Sequence, residues 1–178
     1  MKSISLLVLL FICTSVVGQK YISEKSNIVF FSSALLEDIE ARNEKAKSVF
    51  DTDNGDFVFS IPVNQFQFAK SLMQEHFNEK YMESDKYPKI TFRGNVLDFE
   101  KGVENNDVWA EGKLEIHGVK RNVKILGNLI FKSEKLIIKS KFIVKLEDYE
   151  IQIPSLLFQN IAEEVEVTVN FEYKRYEK

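Results

Sequence analysis

From residue 88 onward the chain reads as strand after strand of alternating hydrophobicity. On the apolar phase of three of those strands, a glycine stands where a packed core would place a large side chain. The phase runs through Ile90, Phe92, Gly94 and Val96, then through Val108, Ala110, Gly112, Leu114 and Ile116. It continues through Val123, Ile125, Gly127, Leu129 and Phe131, and ends with Leu136, Ile138, Ser140, Phe142 and Val144. Side chains two apart on a strand share a face, so each set belongs to one surface. A barrel of about eight strands is either filled by its own side chains or wide enough to hold one small ligand. Inward glycines can also mark bulges or sharp bends. Three in phase on consecutive strands favour a lumen with room in it.

The rest of the chain fits the same architecture. An aromatic-led strand is expected over residues 21–32 and a weaker one over 46–52. Between the latter and the next strand, Asp53-Asn54-Gly55-Asp56 is a tight-turn signal, because Asn-Gly tolerates positive φ. Phe57, Phe59, Ile61 and Val63 then alternate with polar neighbours. Phe66, Ala69, Met73, Phe77 and Tyr81 recur at steps of three or four, which predicts one helix over 66–81 with an apolar stripe. Pro88 restarts the strands, since proline disfavours helix at the residue before it. Asn105-Asn106-Asp107, the segment 117–120 and Ser133-Glu134 supply turns, and residues 147–162 form a longer connection. The last strand carries Val165, Val167, Val169, Phe171 and Tyr173 on one face. Long antiparallel strands with short turns and a single helix predict an all-β fold, an up-and-down barrel or a sandwich.

The first residues address the chain elsewhere. Lys2 gives a positive start, residues 4–12 are almost wholly apolar, and Ser15-Val16-Val17-Gly18 offers compact residues before a cut at Gln19. The apolar run is shorter than the ~20 residues of a membrane span. Residues 1–18 are thus expected to be a cleaved signal peptide and 19–178 one exported domain with no transmembrane segment, periplasmic or secreted. Cys13, the only cysteine, leaves with the signal, so no disulfide, thiolate nucleophile or cysteine metal site is expected. The formal net charge of −3 lacks the basic footprint of a nucleic-acid protein.

Several segments, in order, resemble a known family. Met73-Gln74-Glu75-His76-Phe77, Asp85-Lys86-Tyr87-Pro88-Lys89-Ile90-Thr91-Phe92 and Glu111-Gly112-Lys113-Leu114-Glu115-Ile116-His117-Gly118-Val119 are similar to the YceI-like, polyisoprenoid-binding family of exported bacterial proteins. Asp148-Tyr149-Glu150-Ile151 extends the likeness. The resemblance implies an extended, lipocalin-like antiparallel barrel whose lumen takes an isoprenoid or related long-chain lipid. Residues 37–68 are more compact than in the commoner form of the family. Phase assigns to the lumen Phe57, Phe59, Ile61, Phe92, Gly94, Gly112 and Leu114, together with Gly127, Leu129, Ser140, Phe142, Val167, Val169 and Phe171. His117, Leu156, Leu157 and Phe158 are candidates for the mouth or a lid.

Reactive chemistry has little material. His76 stands beside Glu75 and Glu79, but the inward stripe passes through Met73 and Phe77, so a solvated or capping histidine is expected. A metal needs three or four convergent ligands, and neither metal nor cofactor is expected. Trp109 falls on the polar phase with Glu111 and Lys113, as a partly exposed aromatic packed on a loop or the helix. No serine sits in a nucleophile-elbow context and no phosphate-cradling glycine loop appears. The expected partner is an isoprenoid or fatty-acyl lipid, with no catalytic residue and the oligomeric state left open, a dimer included. Two other classes stay in view. One is a stress-response interaction module with a packed barrel, and the other an enzyme acting on a lumen-bound lipid.

Overall fold

The computed structural model describes residues 19–33, 38–101, 103–132, 135–153 and 162–176. The expected signal peptide and the lid candidates Leu156, Leu157 and Phe158 lie outside those residues.

The strands are β1 (Lys20–Ser32), β2 (Ile39–Asn43), β3 (Lys47–Asp51), β4 (Asp56–Pro62) and β5 (Gln67–Phe68). After the helical segment come β6 (Lys89–Leu97), β7 (Asn105–Ile116), β8 (Val119–Lys132), β9 (Lys135–Lys145) and β10 (Glu164–Arg175). Strands β1, β3, β4, β6, β7, β8, β9 and β10 close an eight-stranded antiparallel barrel, with β10 returning to β1. The long pairings are in simple register: Gly94 faces Gly112, Val108 faces Gly127, and Phe142 faces Val167. One bulge, at Ser23 and Lys25, shifts the register of β1 on β10.

Closure is uneven at β1. Its first residues pair with β3 and its last with β2, so β2 and β3 act as one strand interrupted at residues 44–46. Asn43 sits wholly buried at that interruption. Its Nδ2 donates to the Pro62 carbonyl at 2.8 Å, and its Oδ1 accepts from the Lys45 amide at 2.9 Å. The side chain thereby satisfies backbone groups that the broken ladder leaves free. Ile39 and Ala41 prolong the sheet upward, where β5 joins β2.

The tight turns follow their residues. Gly55 has φ +79°, as the Asn-Gly signal requires. His117 and Gly118 take φ +51° and +76° in a two-residue turn that brings Ile116 opposite Val119.

The helix is shorter than its apolar period suggests. Residues 66–68 are not helical, because Gln67 and Phe68 pair with Arg42 and Ala41 of β2. Helix α1 begins at Ser71 and runs over Ser71–His76, then widens into a π turn, Phe77–Tyr81, closed by the Met82 amide on the Phe77 carbonyl at 2.8 Å. Sheet pairing of the Phe66 segment outweighs its helical spacing, while Met73, Phe77 and Tyr81 keep the inward stripe.

Candidate ligand chamber

The barrel interior divides into two halves of different character. Away from the helix it is filled: Phe50, Phe171, Tyr173, Leu129 and Leu136 are almost wholly buried. Rings interlock there, Phe50 on Phe57 at 6.1 Å and Phe50 on Phe99 at 5.5 Å. Edge-on and offset contacts of this kind give aromatic cores a fixed geometry. A small polar cluster lies among them. The Tyr173 hydroxyl donates to Ser48 Oγ at 2.7 Å, which donates in turn to the Val58 carbonyl at 2.8 Å. Complete burial pushes the Tyr173 phenol far above its usual range.

Towards the helix the barrel is open inside. A chamber of about 570 Å³ lies between the upper strands and the helical segment. Its floor is Phe59, stacked on Phe92 at 5.4 Å and an interplanar angle of 15°, with Phe171 behind at 6.1 Å. Ile61, Ile90, Leu114 and Ile116 form one wall, and Phe142, Val144, Val165, Val167 and Val169 the other. Phe30 of β1 carries the third side, against Phe66, Phe68 and Phe77 at 5.4, 5.6 and 5.4 Å. The helical segment roofs it with Met73, His76, Phe77 and Tyr81, and Leu72 on the rim is 59% exposed. Such a volume, lined almost wholly by apolar side chains, is that of a typical small-molecule site.

Of the positions that phase assigned to the lumen, Phe59, Ile61, Leu114, Phe142, Val167 and Val169 line this chamber. Phe57, Phe92, Leu129 and Phe171 face inward but belong to the packed half. Gly94, Gly112, Gly127 and Ser140 do not line it either, and the glycine argument needs correction. A Cβ on Gly112 would meet the Arg93 carbonyl oxygen at 2.4 Å and Gly94 Cα at 2.6 Å. One on Gly94 would meet Glu111 O and Gly112 Cα just as closely. The facing pair lets two backbones approach, so these glycines serve the wall rather than the space inside it. Gly127 has room for a methyl within a few tenths of an ångström, and the Ser140 hydroxyl donates to the Leu126 carbonyl at 2.7 Å.

His117 stands beside the chamber rather than in it. Its Nε2 lies 2.9 Å from Glu83 Oε2, its Nδ1 3.2 Å from the Tyr149 carbonyl, and its ring contacts Tyr87 at a centroid distance of 4.5 Å. The side chain is 11% exposed. It ties the β7–β8 turn to the segment after the helix and to the short helical turn Glu147–Tyr149. Burial pushes the Tyr149 phenol upward, with neighbouring Asp148 adding to the shift and Arg121 opposing it. His76, expected to be solvated or capping, lines the chamber instead. The wide π turn that follows it also brings Tyr81 onto the chamber, and burial pushes that phenol up as well. Trp109 is on the outer face, 37% exposed, under the Lys124 ammonium at 5.2 Å and opposite Leu126 rather than against a loop or the helix.

Sequence reasoning read Phe66 and Phe77 as one apolar stripe but did not foresee that Phe30 of β1 and Phe68 would join them as the third side. Phe30 and Phe68 carried no signal that would bring them together, and Ile151 lies in a connection with no periodicity to read. Among the described residues there is no group of three or more histidines, cysteines or carboxylates that could hold a metal ion. None of their helices is long and apolar enough to cross a membrane.

Known structures share this architecture. A polyisoprenoid-binding domain from Saccharophagus degradans, implicated in plant cell wall breakdown, superposes with a TM-score of 0.77 at 17% identity, over 88% of this chain and 98% of that one. BcnA of Burkholderia cenocepacia gives 0.69 at 16% identity over 83% and 95%, and the YCEI protein of Campylobacter jejuni 0.64 at 13% over 80% and 88%. No curated protein sequence matches the chain. The model of the YceI-like domain matches residues 20–173, essentially the whole barrel, and the chain belongs to the YceI-like family.

Proposed function

We propose that this protein is an exported binder of a long-chain isoprenoid or related amphiphile, which it sequesters or carries in the chamber between barrel and helix. The observation that carries the reading is the chamber itself: about 570 Å³ walled by Phe, Ile, Leu, Val and Met side chains, in a barrel whose other half is occupied by a buried cluster of aromatic and aliphatic side chains. A protein that needed the barrel only as a scaffold would gain by filling both halves, since interiors pack to crystal-like density. Apolar chain transferred from water into such a space gains about 0.8 kcal/mol per methylene, against the costs of ordering and association. The polyisoprenoid-binding domain of Saccharophagus degradans has the same fold. Export rests on residues 1–18, and the reading includes no catalytic step.

The test is made on protein purified from its own cell envelope. Intact mass should show a chain starting near Gln19, and native mass spectrometry one apolar chain per protein. Val167→Phe, which places a ring in the chamber wall, should cut occupancy several-fold and leave the thermal midpoint of the lipid-free protein within a few degrees. Full-length protein in the cytoplasm would sink the export reading, and an empty barrel from the envelope would sink the binding one. Chemical turnover of an added lipid would replace the binder by an enzyme.

A further inference from the structure

The size of the chamber and the few polar groups in its wall say more about the occupant than the fold does. Among the described residues the wall contains no lysine, arginine or carboxylate. Its polar side chains are Ser32, His76 and Tyr81. The Ser32 hydroxyl already accepts from the Ala162 amide at 3.0 Å. His76 and Tyr81 have no hydrogen-bond partner among the described residues, although each has a group that can donate. They stand five residues apart, His76 ending α1 and Tyr81 ending the π turn, and both line the chamber.

The floor limits length. A methylene needs about the liquid share of one water, ~30 Å³, so the chamber of about 570 Å³ accommodates roughly twenty such groups. A longer chain would have to displace Phe59, which rests on Phe92 and Phe171, both themselves buried, or leave its excess length in water beyond the rim at Leu72, without the gain of burial. The charge of a head drawn inside would find no lysine or arginine, and an unpaired buried ion is strongly unfavourable.

Resting on the lipid-binding reading above, we propose that the chamber selects one short amphiphile, about fifteen to twenty carbons with an uncharged hydroxyl or carbonyl head, held by hydrogen bonds to His76 and Tyr81. The aromatic floor sets the length and the helix face reads the head. The selection is against long polyprenyl chains and against diphosphates.

Calorimetric titration of the delipidated mature protein tests it with named probes. The prenyl alcohols farnesol and geranylgeraniol, and hexadecanol as their straight-chain counterpart, distinguish an isoprenoid source from an acyl one. A forty-carbon polyprenol tests length, geranylgeranyl diphosphate tests charge, and the hydrocarbon phytane tests the head. The short alcohols should bind one to one, with the long polyprenol and the diphosphate each at least about tenfold weaker. The pair His76→Ala with Tyr81→Phe should weaken geranylgeraniol several-fold and leave phytane unchanged. Phe59→Leu, which lowers the floor, should narrow the gap between long and short chains. Equal or tighter binding of the long polyprenol or of the diphosphate overturns the inference while leaving the lipid-binding reading intact. So does an equal loss of alcohol and hydrocarbon in the double variant. Binding of no chain of any length overturns both.

Discussion

Replacing Gly112 with alanine separates two accounts of the glycine phase. If glycines at Gly94 and Gly112 enlarged the lumen, a methyl would project into empty space. The facing backbones say otherwise: the new Cβ would lie 2.4 Å from Arg93 O, where ordinary contact begins at 3.4 Å, so β6 and β7 must part by about 1 Å. The pair is flanked by Phe92 opposite Leu114 and Val96 opposite Ala110, which resist that movement. Overpacking against rigid neighbours costs typically ~1–3 kcal/mol, and the upper half of that range applies where the neighbour is backbone. The stiffer unfolded chain of alanine returns about 0.4–1 kcal/mol, leaving a net loss of roughly 2 kcal/mol. At about 2–4 °C per kcal/mol for a chain of this size, the midpoint should fall by roughly 4–8 °C. Gly127→Ala, whose Cβ meets nothing closer than Lys139 O at 3.1 Å, should lose only a few tenths of a kcal/mol, within the usual surface range of about ±0.5. Thermal melts of the lipid-free proteins read the difference, and titration with a prenyl alcohol reads the chamber, which should be unaffected in folded Gly112→Ala. An unchanged midpoint with selectively weakened lipid binding would refute this reasoning and restore the cavity-making glycine.

Two further outcomes follow from buried groups. The Tyr173 phenol has its pKa raised by burial, so its contribution to stability is complete below the unfolded value of about 10 and is lost as pH rises beyond it, because only the unfolded chain then ionises there. Urea unfolding between pH 9 and 11.5 should therefore show falling stability that is flatter in Tyr173→Phe, which at neutral pH costs about 1 kcal/mol for the lost bond to Ser48. A slope identical to that of the parent would contradict the assignment. His117→Asn keeps a residue that tolerates positive φ but removes the Glu83 and Tyr149 contacts, and should cost about 1–2 kcal/mol in urea unfolding. A variant as stable as the parent would show that the tie between turn and helix carries nothing.

Period-two alternation made the barrel legible, because it fixes which face a side chain takes regardless of long-range contacts. Ile61, Leu114, Val167 and Val169, which phase assigned to the interior, line the chamber. Phase could not give distance. Whether an inward glycine leaves a hole depends on how near the next backbone stands, and Gly94 and Gly112 are nearly in contact. Nor could phase divide the lumen into a filled and an open half, since Phe57 and Phe59 alternate identically while one joins the packed rings and the other becomes a floor. β2 went unread because its charged residues, Glu40 and Arg42, and the interruption at 44–46 hide a very short alternation. The helix began late because pairing with β2 is decided across twenty-odd residues, beyond the reach of a local period. His76 was misplaced because the stripe was followed only through Met73 and Phe77, whereas His76 stands three and four residues after Met73 and Leu72 and shares their face on the chamber.

The seam between β1 and β10 makes assembly of this protein an all-or-none event in time. Tyr21 pairs with Arg175 and Phe30 with Val167, so the contacts that close the barrel join residues separated by nearly the whole described sequence. Such distant pairing is slow to form, because loop-closure entropy must be overcome before any contact rewards it. Val165, Val167 and Val169 sit on that final strand and are also part of the chamber wall. A nascent or truncated chain that lacks β10 therefore has no binding site, only an open apolar sheet with two unpaired edges, a state prone to aggregation.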